Sequence, residues 1–140
     1  MKTDYTTEFL NTTYRILESA SVRKTIDLKI GSTNPDLNVI FPGVVSWAFI
    51  TAWNPLPDIL SYEENQKRSI QLQDELAKLN LKTHKAIGIS ACGSWSEESL
   101  FIENISLAQA QAISKQFGQL AFVFGEMNAP AQLVYTTEKA

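Results

Sequence analysis

Six polar or aromatic residues lie near the ends of predicted strands and helices, and their side-chain types suit the recognition of a small molecule. An arginine together with a tryptophan favours a planar or anionic ligand, since a guanidinium pairs with anions and stacks on flat groups. Neighbouring amide and carboxylate groups would supply directional hydrogen bonds. The candidate ligand-binding residues are Asn54, Asn65, Arg68, Trp95, Glu98 and Gln119.

Asn65 is the most informative of these residues because it lies on the apolar side of a predicted helix. Leu72, Leu76 and Leu79 form the apolar stripe, and Asn65 lies near its centre. A buried amide without partners costs about 1 to 3 kcal/mol, so this side chain must form hydrogen bonds. Two roles are open: Asn65 either clamps the backbone turn at residues 53–55 or belongs to a ligand pocket.

A carboxylate-dependent hydrolase or nuclease is the alternative function. Glu97 and Glu98 are neighbours at the start of a predicted strand, so their side chains point to opposite faces of the sheet. One reaction cannot use both of them without a further carboxylate, which Glu126 or Glu103 would have to supply. Such an enzyme would bind Mg²⁺.

Other metal or cofactor chemistry is not indicated by the sequence. His84 is the single histidine, and no cysteine or second histidine lies at a spacing that would hold zinc. The chain also lacks the Gly-x-Ser-x-Gly motif of hydrolases and the glycine pattern of a nucleotide-binding loop. We therefore predict no metal site and no cofactor.

Length and charge limit the class of protein. The chain of 140 residues fits one domain, with flexible ends expected at residues 1–5 and 136–140. Its net charge of -3 argues against a nucleic-acid partner, because such binding relies on clustered Lys and Arg. No signal peptide and no membrane-spanning apolar run is recognisable, and Cys92 is the single cysteine. These features favour a cytoplasmic protein without a membrane partner.

Periodicity and capping motifs predict the elements that position the candidate residues. A helix is expected over residues 6–17, and strands over residues 25–30 and 46–53. The strand at 46–53 has large apolar side chains on both faces, which is typical of a strand covered on both sides. Capping boxes at Ser61 and Ser106 begin two further helices, the second ending at Gly118. The remaining strands are expected at residues 83–90, 98–103, 120–125 and 131–135.

From residue 46 onwards the order is strand, helix, strand, strand, helix, strand, strand. This order predicts an α+β fold with a ferredoxin-like split βαβ sheet and one extra strand, preceded by an N-terminal helix and strand. Right-handed crossovers would place both central helices on one face of the sheet. The other face is then left for the N-terminal helix or for a partner chain.

The chain resembles an uncharacterised bacterial family known as domain of unknown function 3293. Three motifs in this order make the resemblance fairly specific: Thr51-Ala52-Trp53-Asn54-Pro55, Trp95-Ser96-Glu97-Glu98-Ser99 and Phe117-Gly118-Gln119-Leu120-Ala121. The segment Leu28-Lys29-Ile30-Gly31 and residues Ser61, Asn65 and Arg68 also match. Members usually have proline where this chain has Ser96. The resemblance implies no reaction, substrate or cofactor.

The leading hypothesis from the sequence is a small binding or accessory domain with a polar pocket for a planar or anionic ligand. A third possibility is a protein-interaction module. It would bind a protein partner, or a second copy as a homodimer, through the strand at residues 131–135 or through the open face of the sheet.

Overall fold

Seven strands and four helices make up the part of the chain described by the computed structural model, residues 5–55 and 58–137. None of these helices has both the length and the apolar character needed to cross a membrane. The helices are α1 Thr6–Asn11, α2 Pro35–Ile40, α3 Tyr62–Lys78 and α4 Leu107–Gln116. The strands are β1 Thr13–Ile16, β2 Ile26–Leu28, β3 Ser46–Ile50, β4 Thr83–Ile89, β5 Ser96–Glu103, β6 Ala121–Glu126 and β7 Gln132–Tyr135.

All seven of these strands belong to one sheet in the order β2-β1-β4-β5-β3-β6-β7. Each neighbouring pair is antiparallel, and the sheet curls into a half-barrel. Its two outer strands meet at one end, where Ile30 and Ala131 form a parallel bridge. The Gly31 N–H donates to the Ala131 carbonyl oxygen there at 2.7 Å. The curl therefore gives the sheet a concave side, and the two edges of the sheet approach each other at this end.

The predicted ferredoxin-like split βαβ sheet is wrong, because the seven antiparallel strands form a curled half-barrel instead. The predicted helix over residues 6–17 is wrong beyond Asn11. Residues Thr13–Ile16 form β1, which lies between β2 and β4 and pairs with both. Tyr14 and Ile16 alternate as strand residues do, and Ile16 also fits helical spacing with Phe9 and Thr13. Pairing with strands that are distant in the sequence selects the strand over the helix for these residues.

The interior strand β3 is covered on both sides, as its sequence predicted. Trp47 and Phe49 pack in the core on the concave side, whereas Ala48 and Ile50 pack in a second core on the convex side. Both α3 and α4 contribute to the convex core, so the two helices share a face as expected. The concave side is covered at one end by residues in and after α2, including Leu37, Phe41 and Val44.

Two sequence predictions for helix ends are confirmed, one at Ser106 and one at Gly118. The capping box at Ser106 is complete, and Gly118 has a φ of +69° just after α4. At Ser61 the hydroxyl accepts the Glu64 N–H, but the Glu64 carboxylate bonds to that hydroxyl rather than to the Ser61 amide. Of the predicted flexible ends, residues 1–4 and 138–140 lie outside the described residues. Thr136 is buried, and its hydroxyl donates to the Gln119 carbonyl oxygen at 2.7 Å.

Candidate ligand-binding site

A cavity of about 630 Å³ lies on the concave side of the curled sheet. This volume falls within the roughly 300 to 1,000 Å³ that small-molecule sites usually have. Strands form its floor, α1 lies over it, and the loop between β4 and β5 reaches its mouth together with Ile59. The apolar and aromatic side chains along the wall include Phe9, Tyr14, Phe49, Val123 and Leu133.

Three neighbouring strands present a tyrosine, a glycine and a glutamate side by side in this cavity. Tyr14 on β1 pairs with Gly88 on β4, and Gly88 pairs with Glu97 on β5. Directly paired residues place their side chains on the same face of a sheet. A Cβ at Gly88 would meet only the Thr12 methyl group, at 3.8 Å. The space between Tyr14 and Glu97 is therefore open because Gly88 has no side chain.

Glu97 is the polar anchor of the cavity. Its Oε2 atom accepts hydrogen bonds from Asn54 Nδ2 at 3.0 Å and from Trp95 Nε1 at 3.3 Å. Burial raises the pKa of this carboxyl group, while the hydrogen bonds from Asn54 and Trp95 oppose the rise. The Oε1 atom has no hydrogen-bond partner among residues 5–55 and 58–137. One carboxylate oxygen is thus held in place by the protein and the other is available to a ligand.

We predict that Glu97→Gln raises the free energy of unfolding at neutral pH and that this gain disappears in acid. The raised pKa means that the unfolded chain loses this proton first, so native stability falls as pH rises between the unfolded and folded pKa values. Glutamine does not ionise, and its amide oxygen can still accept from Asn54 and Trp95. Urea denaturation at pH 4 and pH 7.5 measures the difference.

The control for this prediction is Glu18→Gln, which makes the same change of charge at an exposed position. It separates the burial of Glu97 from the loss of one negative charge on the whole protein. An equal effect of Glu97→Gln at the two pH values would contradict the prediction.

Tyr14 is neutral in this cavity, because burial raises the pKa of its phenol well above the usual range. Its hydroxyl donates to the Phe9 carbonyl oxygen at 3.0 Å, which ties α1 to the sheet. Tyr14 therefore presents an uncharged aromatic ring to the cavity.

Cys92 lies at the exposed mouth of the cavity. The hydrogen bond with the Ser94 hydroxyl lowers the pKa of Cys92 to about 7.

Three of the six sequence-predicted site residues line the cavity: Asn54, Trp95 and Gln119. Trp95 is about half exposed at the mouth. Gln119 is buried, and its Nε2 donates to the Trp53 carbonyl oxygen at 3.0 Å. Asn54 is buried beside Glu97, with its backbone at a φ of +45°.

Asn65, Arg68 and Glu98 do not line the cavity. Asn65 is a clamp: its Oδ1 accepts the Asn54 N–H at 2.9 Å, and its Nδ2 donates to Asn54 Oδ1 at 2.9 Å. The Arg68 guanidinium donates to the carbonyl oxygens of Ala52 and Phe117. It therefore joins the end of β3 to the end of α4, and neither the Asn65 nor the Arg68 side chain lines the cavity.

The two neighbouring glutamates face opposite sides of the sheet, as the alternation of strand side chains predicted. Glu97 lines the concave cavity, whereas the Glu98 carboxylate accepts a hydrogen bond from Gln66 on α3. Sequence reasoning considered Glu97 only as an enzyme carboxylate and did not include Tyr14, Gly88 or α1 in the site. Gly88 was the available signal, because an internal glycine in a strand often marks the close approach of a ligand.

The fold and the cavity define a small domain built on one curled antiparallel sheet, with a ligand-sized space on its concave side. Within that class, the chain belongs to the family described as "Protein of unknown function (DUF3293)", whose model matches residues 50–122. The matched segment includes β4, β5 and the three family motifs, and thus Asn54, Trp95 and Glu97. No curated protein and no solved structure gives a significant match to the chain.

Proposed function

We propose that this protein is a binding domain that holds a small, mainly apolar molecule in the concave cavity of its sheet. The observation that carries the proposal is the cavity itself, with aromatic and aliphatic walls and one carboxylate anchored at Glu97. Ligand sites commonly combine such apolar walls with a few fixed polar groups. Burying an apolar ligand there would supply binding energy, and Glu97 would fix its orientation.

The proposed ligand differs from the small planar or anionic molecule that the sequence favoured. That preference depended on Arg68, whose guanidinium is bonded to backbone carbonyl oxygens outside the cavity. The charged side chains on the described lining are those of Glu8 and Glu97, and both are acidic. An anion would meet like charge there, whereas a neutral or cationic molecule would not.

The alternative functions have less support than ligand binding. A hydrolase using Glu97 and Glu98 on one ion is disfavoured because these carboxylates face opposite sides of the sheet. The described residues also contain no group of three or more His, Cys, Asp or Glu side chains placed to hold a metal. An interaction module that pairs through the strand at residues 131–135 has less support, because the Ala131 N–H and carbonyl groups are already bonded to Ser32 and Gly31. Protein partners and the cytoplasmic location stay predictions.

We predict that Gly88→Leu lowers the affinity for an apolar probe at least about tenfold, because the new side chain fills the space between Tyr14 and Glu97. The backbone of Gly88 is not in the left-handed region, so leucine fits the strand without strain. The measurement is a fluorescence titration with N-phenyl-1-naphthylamine, an uncharged dye that brightens in apolar sites.

The matched control for this test is Lys85→Leu, which places the same side chain at an exposed position on the opposite face of β4. Circular dichroism checks that both variants keep the native fold. A wild-type protein that does not bind the dye, or a Gly88→Leu variant that binds it equally well, would overturn the proposal.

A further inference from the structure

We infer that the cavity takes a lipophilic amine, with its ammonium group at Glu97 and its apolar body along the wall formed by Phe49, Val123 and Leu133. This inference rests on the proposed function and names the class of ligand. Three features of the described residues carry it: an unpaired carboxylate oxygen, the sign of the charges on the lining, and the open space beside Tyr14.

The first feature is the Oε1 atom of the Glu97 carboxylate, which has no hydrogen-bond partner among the described residues. Asn54 and Trp95 both donate to Oε2. Neither donor is charged, and the described lining contains no lysine or arginine that could neutralise the carboxylate. A half-buried charge without a counter-ion is costly. A ligand ammonium would remove that cost and form a charge-assisted hydrogen bond, which a neutral hydroxyl would do less well.

The second feature is that the nearby basic side chains are occupied elsewhere. Arg68 donates to two backbone carbonyl oxygens, and Lys29 donates to the Asn11 carbonyl oxygen at 3.2 Å without lining the cavity. Glu8 adds a second acidic group to the lining, on α1. The field inside the cavity therefore favours a cation over a neutral or anionic head group.

The third feature is the width of the space beside the carboxylate. Tyr14 and Glu97 lie two strands apart, which corresponds to about 10 Å at the usual strand spacing. Gly88 contributes no side chain between them. An ammonium group placed there would meet a carboxylate on one side and a neutral phenol ring on the other. Aromatic rings attract cations at their faces, so both neighbours favour the same head group.

The test compares three ligands with the same eight-carbon chain: octylamine, octanol and octanoate. Each displaces N-phenyl-1-naphthylamine from the wild-type protein at pH 7.5, below its micelle concentration. We expect octylamine to bind about tenfold more tightly than octanol, as a charged hydrogen bond allows. Octanoate should bind most weakly. Glu97→Gln should reduce the preference for the amine over octanol to within about twofold. Glu18→Gln, at an exposed position, should keep the wild-type order.

The outcomes separate this inference from the proposed function. Equal binding of octylamine and octanol, or tighter binding of octanoate, would overturn the amine assignment and leave the apolar cavity in place. An amine preference that survives Glu97→Gln would overturn the assignment to this carboxylate. Failure of the dye and of all three ligands to bind would overturn both proposals.

Discussion

We expect Gly125→Ala to destabilise the protein by about 3 kcal/mol or more, because the added methyl group has no room. A Cβ at this position would lie 2.4 Å from Trp47 Cζ2 and 2.5 Å from Trp47 Cε2. Gly125 on β6 pairs directly with Trp47 on β3, so the indole ring lies over the glycine. Trp47 is almost fully buried and packs against Phe101, with ring centroids 5.5 Å apart. The ring therefore has no free space to move into.

The matched control for this substitution is Gly43→Ala. A Cβ at Gly43 would have no atom within 4 Å, and its backbone is not in the left-handed region. We expect this variant to differ from the wild type by less than about 0.5 kcal/mol. Urea denaturation followed by tryptophan fluorescence measures both variants. A loss below about 1 kcal/mol for Gly125→Ala would mean that the Trp47 ring does not pack on Gly125 as described.

We expect Asn65→Ala to destabilise the protein by about 2 to 4 kcal/mol. Asn65 is 2% exposed, and its amide makes reciprocal hydrogen bonds with the backbone and side chain of Asn54. Alanine would leave the buried Asn54 N–H without its acceptor and would open a small void beneath the turn. The turn at Asn54 is also strained, since a φ of +45° is uncommon for a residue other than glycine. Removing the clamp should therefore loosen the turn.

Lys67→Ala is the control for this second prediction, because it removes a long side chain from an exposed position on the same helix. We expect a change of less than about 0.5 kcal/mol. The comparison uses guanidinium chloride denaturation. A second readout is dye binding, which Asn65→Ala should weaken in the folded protein, because Asn54 holds the Glu97 carboxylate. Wild-type stability in Asn65→Ala would contradict the role of this residue as a clamp.

The candidate site was partly predictable from the sequence. A polar residue on an apolar helix face marked Asn65 as a hydrogen-bonded group, and the three motifs marked the turn at Asn54 and the loop at Trp95. The sequence also predicted that the Glu97 and Glu98 side chains point to opposite faces of the sheet. The position of the Arg68 side chain was not predictable, because its length and flexibility allow several partners. Folding brings the carbonyl oxygens of Ala52 and Phe117, which are distant in the sequence, within its reach.

The local elements followed from the sequence alone: the capped starts of α3 and α4, the left-handed turn at Gly118, and a strand beginning at residue 46 with apolar side chains on both faces. These features depend on residues close together in the chain. Long-range packing, by contrast, makes residues 13–16 a strand, curls the sheet, and brings Tyr14, Gly88 and Glu97 to one cavity. The physical reason is that strand pairing joins residues far apart in sequence, and local propensity does not select the partner.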